Sequence, residues 1–252
     1  GLIEELTPDM VPNLANVYPE FIVADSHGVG VAVSWVTAYY NAERLETPPD
    51  SYEAWWNPDY SGRVAIPAIT ISPGIQFLVA AASLETGKPP REAQYEIDAG
   101  FRKLATLKDH WHSVYNSFEN VMPQLASGEV WLAFGHSRIA NNYILRGAPV
   151  KRALVKEGPF AGINGVCLVK GGPHPDVGAQ LINYVLDTEM QLEFMTTANA
   201  GSVNRTVEPP ADIAEHLPSG VEQVQEMNNL DWEFVNQNLS DWIDRFNQEI
   251  TG

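Results

Sequence analysis

The stretch RVAIPAITISPGIQFLVAAASLETG (63–87) decides the fold class. Arg63–Pro67 is a short apolar run of strand type. Ser72-Pro73 then reads as a helix start, with Ser at the N-cap and Pro at the first helical position. Phe77, Ala81 and Leu84 recur at helical spacing until Gly87 stops the helix. The same order returns in EVWLAFGHSRIANNYILRG (129–147): a strand over Glu129–Phe134, a polar turn, and a helix from Ser137 through Ile139, Ile144 and Leu145 to Gly147. Strand, polar loop and helix in repeated order predict an α/β fold. In open α/β sheets ligands collect where loops at the carboxyl ends of strands aim helix N–H groups outward. Ser72 and the loop His136–Arg138 are therefore candidates from the outset.

Working outward, Val29–Val33 is a β-rich run beside Gly28 and Gly30, and Gly165–Val169 (GVCLV) reads as a buried strand. Ile97, Phe101, Leu104 and Trp111 mark an amphipathic helix; Ser117 precedes a shorter one carrying Val121, Met122 and Leu125, closed by Gly128. Leu181, Ile182, Val185 and Leu186 predict a helix, and Leu192, Phe194 and Met195 another. Trp232, Val235, Leu239, Trp242, Phe246 and Ile250 step by three or four along a long closing helix. Gly1–Glu20, interrupted by Pro8, Pro12 and Pro19, reads as a tail with turns.

Lys and Arg total 15 and Asp and Glu 32 in 252 residues, a net charge of −17. That balance argues against nucleic acid and anionic membrane surfaces, which need a basic footprint. The single cysteine, Cys167, excludes an internal disulfide and any multi-cysteine metal site. Inside an apolar run it reads as a small core residue. The histidines are scattered, no nucleophile elbow, zinc helix or phosphate loop occurs, and no catalytic residue, metal or cofactor is expected.

Several blocks, in order over nearly the whole chain, resemble the type II periplasmic substrate-binding proteins of ABC transporters: VAVSWVTAYYN (31–41), PPDSYEAWWNPDYSGRVAIP (48–67), SFENVMPQLASGEVWLAFG (117–135), KGGPHPDVGAQLINYVLDTEMQ (170–191), SVN (202–204) and DWEFVNQNLSDWIDRFNQEI (231–250). The branch they are most similar to carries polyamines, ferric iron, thiamine and phosphonates. The resemblance implies a two-lobed α/β fold. Residues 1–34 with 165–203 would form the first lobe and 36–163 with 204–252 the second, joined by crossing strands near Trp35 and Asn164. It implies a periplasmic or lipoprotein-tethered receptor that captures a small polar solute by lobe closure and delivers it to a membrane permease. The family's leading strand–helix–strand stretch has no counterpart here, so the first lobe is expected to be incomplete. Oligomerisation, a retained N-terminal fragment of the same protein or local rearrangement would follow from the uncovered apolar face.

The candidate ligand residues follow from the strand ends and the crossings. Ser72 and Ser117 stand at helix starts, where a plain capping role and an anion-binding role are compatible. Of His136, Ser137 and Arg138, Arg138 suits bidentate pairing with a carboxylate or phosphonate, or else is a solvated first-turn side chain. His136 reads as a hydrogen-bonding loop residue rather than a metal ligand. Trp35, with Thr37 beside it, offers either an aromatic wall or a buried hinge aromatic. Asn164 stands where polyamine-binding relatives carry an Asp, with Gly162 in place of an aromatic, which weakens a polyamine-specific alternative. Tyr39 and Tyr40 lie on the strand rather than on the later loop of iron-binding relatives, and Tyr143 is alone, which weakens a ferric-iron alternative. A further alternative is an enzyme on the same fold using Cys167 or His136. Together the loops point to a neutral or anionic solute.

Overall fold

The computed structural model describes all 252 residues. In chain order the elements are β1 (Ile22–Val23), β2 (Gly28–Asn41), β3 (Val64–Pro67), α1 (Ser72–Thr86), α2 (Pro90–Ala93), α3 (Ile97–Ala105), β4 (Trp111–Tyr115), α4 (Phe118–Ser127), β5 (Leu132–His136), α5 (Ser137–Ile144), β6 (Val150–Arg152), β7 (Phe160–Val166), α6 (Pro175–Val185), α7 (Thr188–Thr197), α8 (Gly220–Glu226) and α9 (Trp232–Arg245). Short 3-10 turns occupy Pro12–Asn16, Pro19–Phe21, Tyr52–Trp56, Pro58–Tyr60 and Ala214–His216. The α/β class read from the sequence is the class observed. The chain divides into two compact units: unit 1 is Gly1–Trp35 with Ala161–Met227, and unit 2 is Val36–Phe160 with Asn228–Gly252.

Unit 2 is built on a mixed sheet. The second half of β2 pairs antiparallel with β5 on one side and with β6 on the other, while β3 lies parallel to both β4 and β5. Period-two alternation sends successive side chains to opposite faces. Val36, Ala38, Tyr40, Val64, Ile66, Leu132 and Phe134 join α1, α3 and α9 in one core, whereas Tyr39, Ala65 and Ala133 join α4 and α5 in the other. Burial on both faces explains why these strands read as continuous apolar runs. Eleven of the fifteen residues of α1 are buried, as its nearly all-round apolar sequence requires.

Unit 1 pairs β1 with the start of β2, Ile22 opposite Val29 and Val23 opposite Gly28. Its core holds Leu6, Val11, Leu14, Val17, Tyr18, Phe21, Val29, Val33 and Trp35 with Ile182, Leu186, Val203, Val224 and Met227. A buried side chain, Gln191, ties it together. Its amide Nε2 donates to the Val31 and Val185 carbonyls at 2.8 and 2.7 Å, and its Oε1 accepts from Ser202 Oγ and the Val203 N–H, both at 2.9 Å.

Five expectations are corrected. Residues 204–227 belong with unit 1, not with the second unit: Val17 bridges to Asn204, the Arg205 N–H donates to the Asn16 carbonyl at 2.9 Å, and Val224 and Met227 fill that core. The chain enters unit 1 again at Ala161 rather than at 165. Trp111 opens β4 instead of closing a helix; the helix ends at Ala105 and the apolar step to 111 is a strand residue. GVCLV is not a buried strand, since β7 ends at Val166, Cys167 is exposed and Val169 is 62% exposed. The Gly1–Glu20 segment is no loose tail: Leu6, Val11, Leu14, Val17 and Tyr18 are buried, and Glu4 N–H donates to the Leu168 carbonyl at 2.8 Å.

Candidate functional site

The carboxyl edge of the parallel strands of unit 2 gathers most of the candidates. Strand β3 leads into α1 on one face of the sheet, while its neighbour β5 leads into α5 on the other. Adjacent strands whose loops leave to opposite faces open a crevice at their carboxyl ends. Backbone pairing between β3 and β5 is limited to Val64 opposite Leu132. Past that point the Tyr115 hydroxyl from β4 donates to the Phe134 carbonyl and accepts the Phe134 N–H at 3.2 Å, so the parted backbone stays satisfied. Burial pushes that phenol far up, and it stays neutral.

Three helices begin at this edge: α1 after β3, α4 after β4 and α5 after β5. In none of the three does the N-cap side chain bond the first N–H groups, although in α4 the Glu119 carboxylate accepts from its own N–H in the first turn. By contrast Asp187 caps α7 and Asp231 caps α9 through their side chains. Uncapped N-termini concentrate partial positive charge and free donors. Close packing sets their positions. A Cβ at Gly74 in the first turn of α1 would meet the Ala68 carbonyl oxygen at 2.0 Å, and one at Gly135 would meet the Phe118 ring at 2.4 Å.

Ser72 is the first residue of α1, with Ile71 rather than Ser72 in the N-cap place, so the expected serine cap is not formed. Ser117 does hold the N-cap place of α4, but its hydroxyl donates to the Glu119 carboxylate instead of receiving a helix N–H. That bond, and the Arg138 guanidinium, hold the Glu119 carboxyl below the usual carboxylate range. His136 is the N-cap residue of α5, and Ser137, buried, is its first residue. Burial, with Arg138 adding to it, pushes the His136 imidazole down to about 4, so it is neutral at pH 7. Arg138 is half-buried in the first turn of α5 and makes no ion pair.

Thr37 lies opposite Gly135 in the β2–β5 register, next to the pair Val36–His136. It is buried, and its hydroxyl is 3.3 Å from the Tyr52 hydroxyl. Tyr52 gives its own proton to the Gly158 carbonyl at 2.9 Å, so Thr37 is the donor of the pair and its proton is spent inside unit 2. The remaining two candidates lie in unit 1: Trp35 is 4% exposed within that unit's core, the buried-aromatic alternative, and Asn164 is exposed on β7.

Ser72, Ser117, His136, Ser137 and Arg138 thus share one edge. Sequence reasoning missed Glu119, Tyr115 and Phe118. Tyr115 is hidden by the helical reading across Trp111, and Glu119 stands two residues beyond Ser117, whose capping or anion-binding reading gives its hydroxyl no carboxylate partner. No group of three or more His, Cys, Asp or Glu side chains is placed to hold a metal ion, and no helix is long and apolar enough to cross a membrane.

Solved structures share this fold. An ABC transporter protein from Clostridium perfringens ATCC 13124 matches with a TM-score of 0.84 at 20% identity, over 99% of this chain and 78% of its own. The periplasmic binding protein AfuA from Actinobacillus pleuropneumoniae, solved with fructose-6-phosphate, matches with 0.78 at 18% identity, over 100% and 77%. AgtB from A. tumefaciens R10, solved with agropinic acid, matches with 0.76 at 21% identity, over 100% and 77%. None of the curated proteins matches the chain. The model of the bacterial extracellular solute-binding protein family covers residues 1–218, and the chain belongs to that family, a receptor outside the cytoplasm and not an enzyme.

Proposed function

We propose that this chain is the receptor of an ABC importer for a small organic solute carrying an anionic group, a carboxylate or a phosphate ester. The observation that supports this most is the set of three uncapped helix N-termini, α1, α4 and α5, at one sheet edge. Arg138 adds a full positive charge there, and neutral His136 adds a hydrogen-bonding ring without a competing charge. In a chain with 32 acidic residues, the segments 68–73, 115–119 and 135–139 contain only Glu119, whose carboxylate is already bonded by Ser117. A polyamine would need several unspent carboxylates, and this edge does not supply them. Two relatives of the same fold were solved with acidic solutes, fructose-6-phosphate and agropinic acid. Capture by closure of the two units, and delivery to a permease, complete the proposal. Neither step alters the solute.

The test is a thermal-shift screen over sugar phosphates, opine-type sugar acids, simple amino acids and spermidine. A solute at a hundred times its Kd stabilises the folded chain by about 2.7 kcal/mol. Shifts confined to the acidic solutes support the proposal, with small-angle scattering then expected to show compaction. A shift with spermidine alone contradicts it.

A further inference from the structure

The crevice edge of unit 2 also holds a negative charge, Glu119 in the first turn of α4. Close packing brings that turn to the junction of β5 and α5. The Phe118 ring fills the space beside Gly135, where a Cβ would meet it at 2.4 Å, and His136 and Ser137 follow directly in the chain. Phe118 is buried against Tyr39 and Tyr115, with ring centroids 5.8 and 6.1 Å apart, so the start of α4 is fixed at this place. The Glu119 carboxylate accepts from Ser117 Oγ and from its own N–H, and it lies within the field of Arg138. A carboxylate offers about four acceptor positions, of which these bonds fill two. Glu119 is exposed, so the remaining positions are open to a bound solute.

A first-turn glutamate has a plain use, to complement the positive end of its own helix. That use accounts for the bond to its own N–H. It does not account for the placing of the one acid of segments 68–73, 115–119 and 135–139 near their one guanidinium, Arg138. A carboxylate there repels a bare anion and favours one that brings a hydrogen-bond donor beside its charge. We infer that Glu119 is a specificity-determining residue, selecting anionic solutes with a hydroxyl next to the anionic group, hydroxy acids and glycerol- or sugar-type phosphates, over plain carboxylates and alkyl phosphates. The inference rests on the anionic-solute reading above and narrows it. The anionic group lies on Arg138 and the helix N–H groups, and the neighbouring hydroxyl donates to an open lone pair of Glu119. An ammonium is the poorer donor. Arg138 repels it, and the bonds from Ser117 and the Glu119 N–H already offset part of the carboxylate's charge.

The experiment measures calorimetric affinities of the intact chain for matched probes: gluconate against hexanoate and norleucine, and glycerol 1-phosphate against propyl phosphate. The parent chain binds the hydroxylated anion of each set at least about tenfold more tightly than its comparisons. In Glu119→Ala the plain anions bind more tightly and the hydroxylated ones more weakly, so the preference falls below about threefold. Glu119→Gln, which keeps an acceptor without the charge, falls between the two. Cooperative melting and an unchanged circular dichroism spectrum show that both variants are folded, and a merely structural role for Glu119 would not move the ratio of affinities. The inference is overturned if the parent chain prefers hexanoate, norleucine or propyl phosphate, or if the hydroxyl preference survives in Glu119→Ala. Acidic probes whose binding depends on Arg138 but not on Glu119 overturn this inference alone. If no acidic probe binds, the anionic-solute reading fails and this inference with it.

Discussion

The two units achieve a folded core by different means. In unit 2, aromatic rings interlock: Phe134 alone lies within 5.4–6.4 Å of Tyr52, Trp55, Phe77 and Phe160, centroid to centroid. In unit 1 the one ring pair is Tyr18 with Phe21, and buried polar side chains carry the long-range ties instead. Gln191 bonds β2, α6 and the turn at Ser202–Val203, Asn204 Nδ2 donates to the Leu186 carbonyl at 3.0 Å, and Asn13 donates its N–H and its Nδ2 to Asn183 Oδ1 and the Asn183 carbonyl, both at 2.8 Å. Of the exposed large apolar side chains, ten lie in unit 1 and four in unit 2. The lesson concerns division of labour. Unit 2 is packed around interlocked rings, with Phe134 of β5 at their centre. Unit 1 is the more polar-tied, less covered body.

The largest effect that would sharpen this contrast is Phe134→Ala, expected to cost about 3–5 kcal/mol in denaturant unfolding because four rings lose a common neighbour. A loss under about 1 kcal/mol would break the picture of an interlocked core. Next comes Gln191→Leu in unit 1, a near-isosteric change with no cavity to blame. It leaves two carbonyls, a hydroxyl and an N–H without their partner, and is expected to cost roughly 3 kcal/mol, with faster amide exchange at Val203. Near-neutral behaviour would mean that apolar packing, not polar ties, holds unit 1.

His136 supplies a smaller, pH-dependent term in unit 2. Its folded pKa of about 4 lies below the ordinary 6.5, so between these values the unfolded chain binds a proton that the folded chain refuses. The stability is complete above about pH 6.5 and is lost as pH falls toward 4, by at most about 3 kcal/mol. His136→Gln should flatten the stability profile in that window, and an unaltered slope would place the acid sensitivity elsewhere. The smallest effect is expected on the outer stripe of α6. Val177, Leu181 and Tyr184 are 56%, 61% and 56% exposed, so Leu181→Lys should change stability by less than about 0.5 kcal/mol. Ile182→Ala on the packed side of the same helix should cost about 2–4 kcal/mol.

The same difference between units governs what the sequence reveals. In unit 2 the runs 63–87 and 129–147 carry local signals, a short apolar strand, a polar turn and a helix stopped by a glycine; the first set lies where the periodicity puts it, whereas in the second the strand is Leu132–His136 rather than Glu129–Phe134 and runs straight into α5 with no turn between. Of the residues at the candidate edge, Ser72 and His136–Arg138 follow from strand ends legible in the sequence, whereas Ser117 follows only from a helix start, because the strand before it reads as helix. The misreadings arise where nonlocal contacts decide. Trp111 keeps helical phase with Leu104 yet is drawn into β4 by pairing with Val64. Residues 204–227 have little periodicity, and their place in unit 1 is fixed by bonds to Asn16 and Leu186 that no local pattern announces. Thr37 shows the limit for side chains: its hydroxyl looked available, but the partner that uses it, Tyr52, arrives from a separate loop.

The central claim is that an anionic group is bound at the α1, α4 and α5 N-termini with help from Arg138. Calorimetric titration of the parent chain and of Arg138→Gln with the acidic solute that gives the largest thermal shift tests it most directly. Loss of one charge-assisted contact should weaken binding by about 1.5–3 kcal/mol, tenfold or more, while the solute-free melting temperature stays unchanged. Equal affinity of the two proteins for that solute would contradict the account.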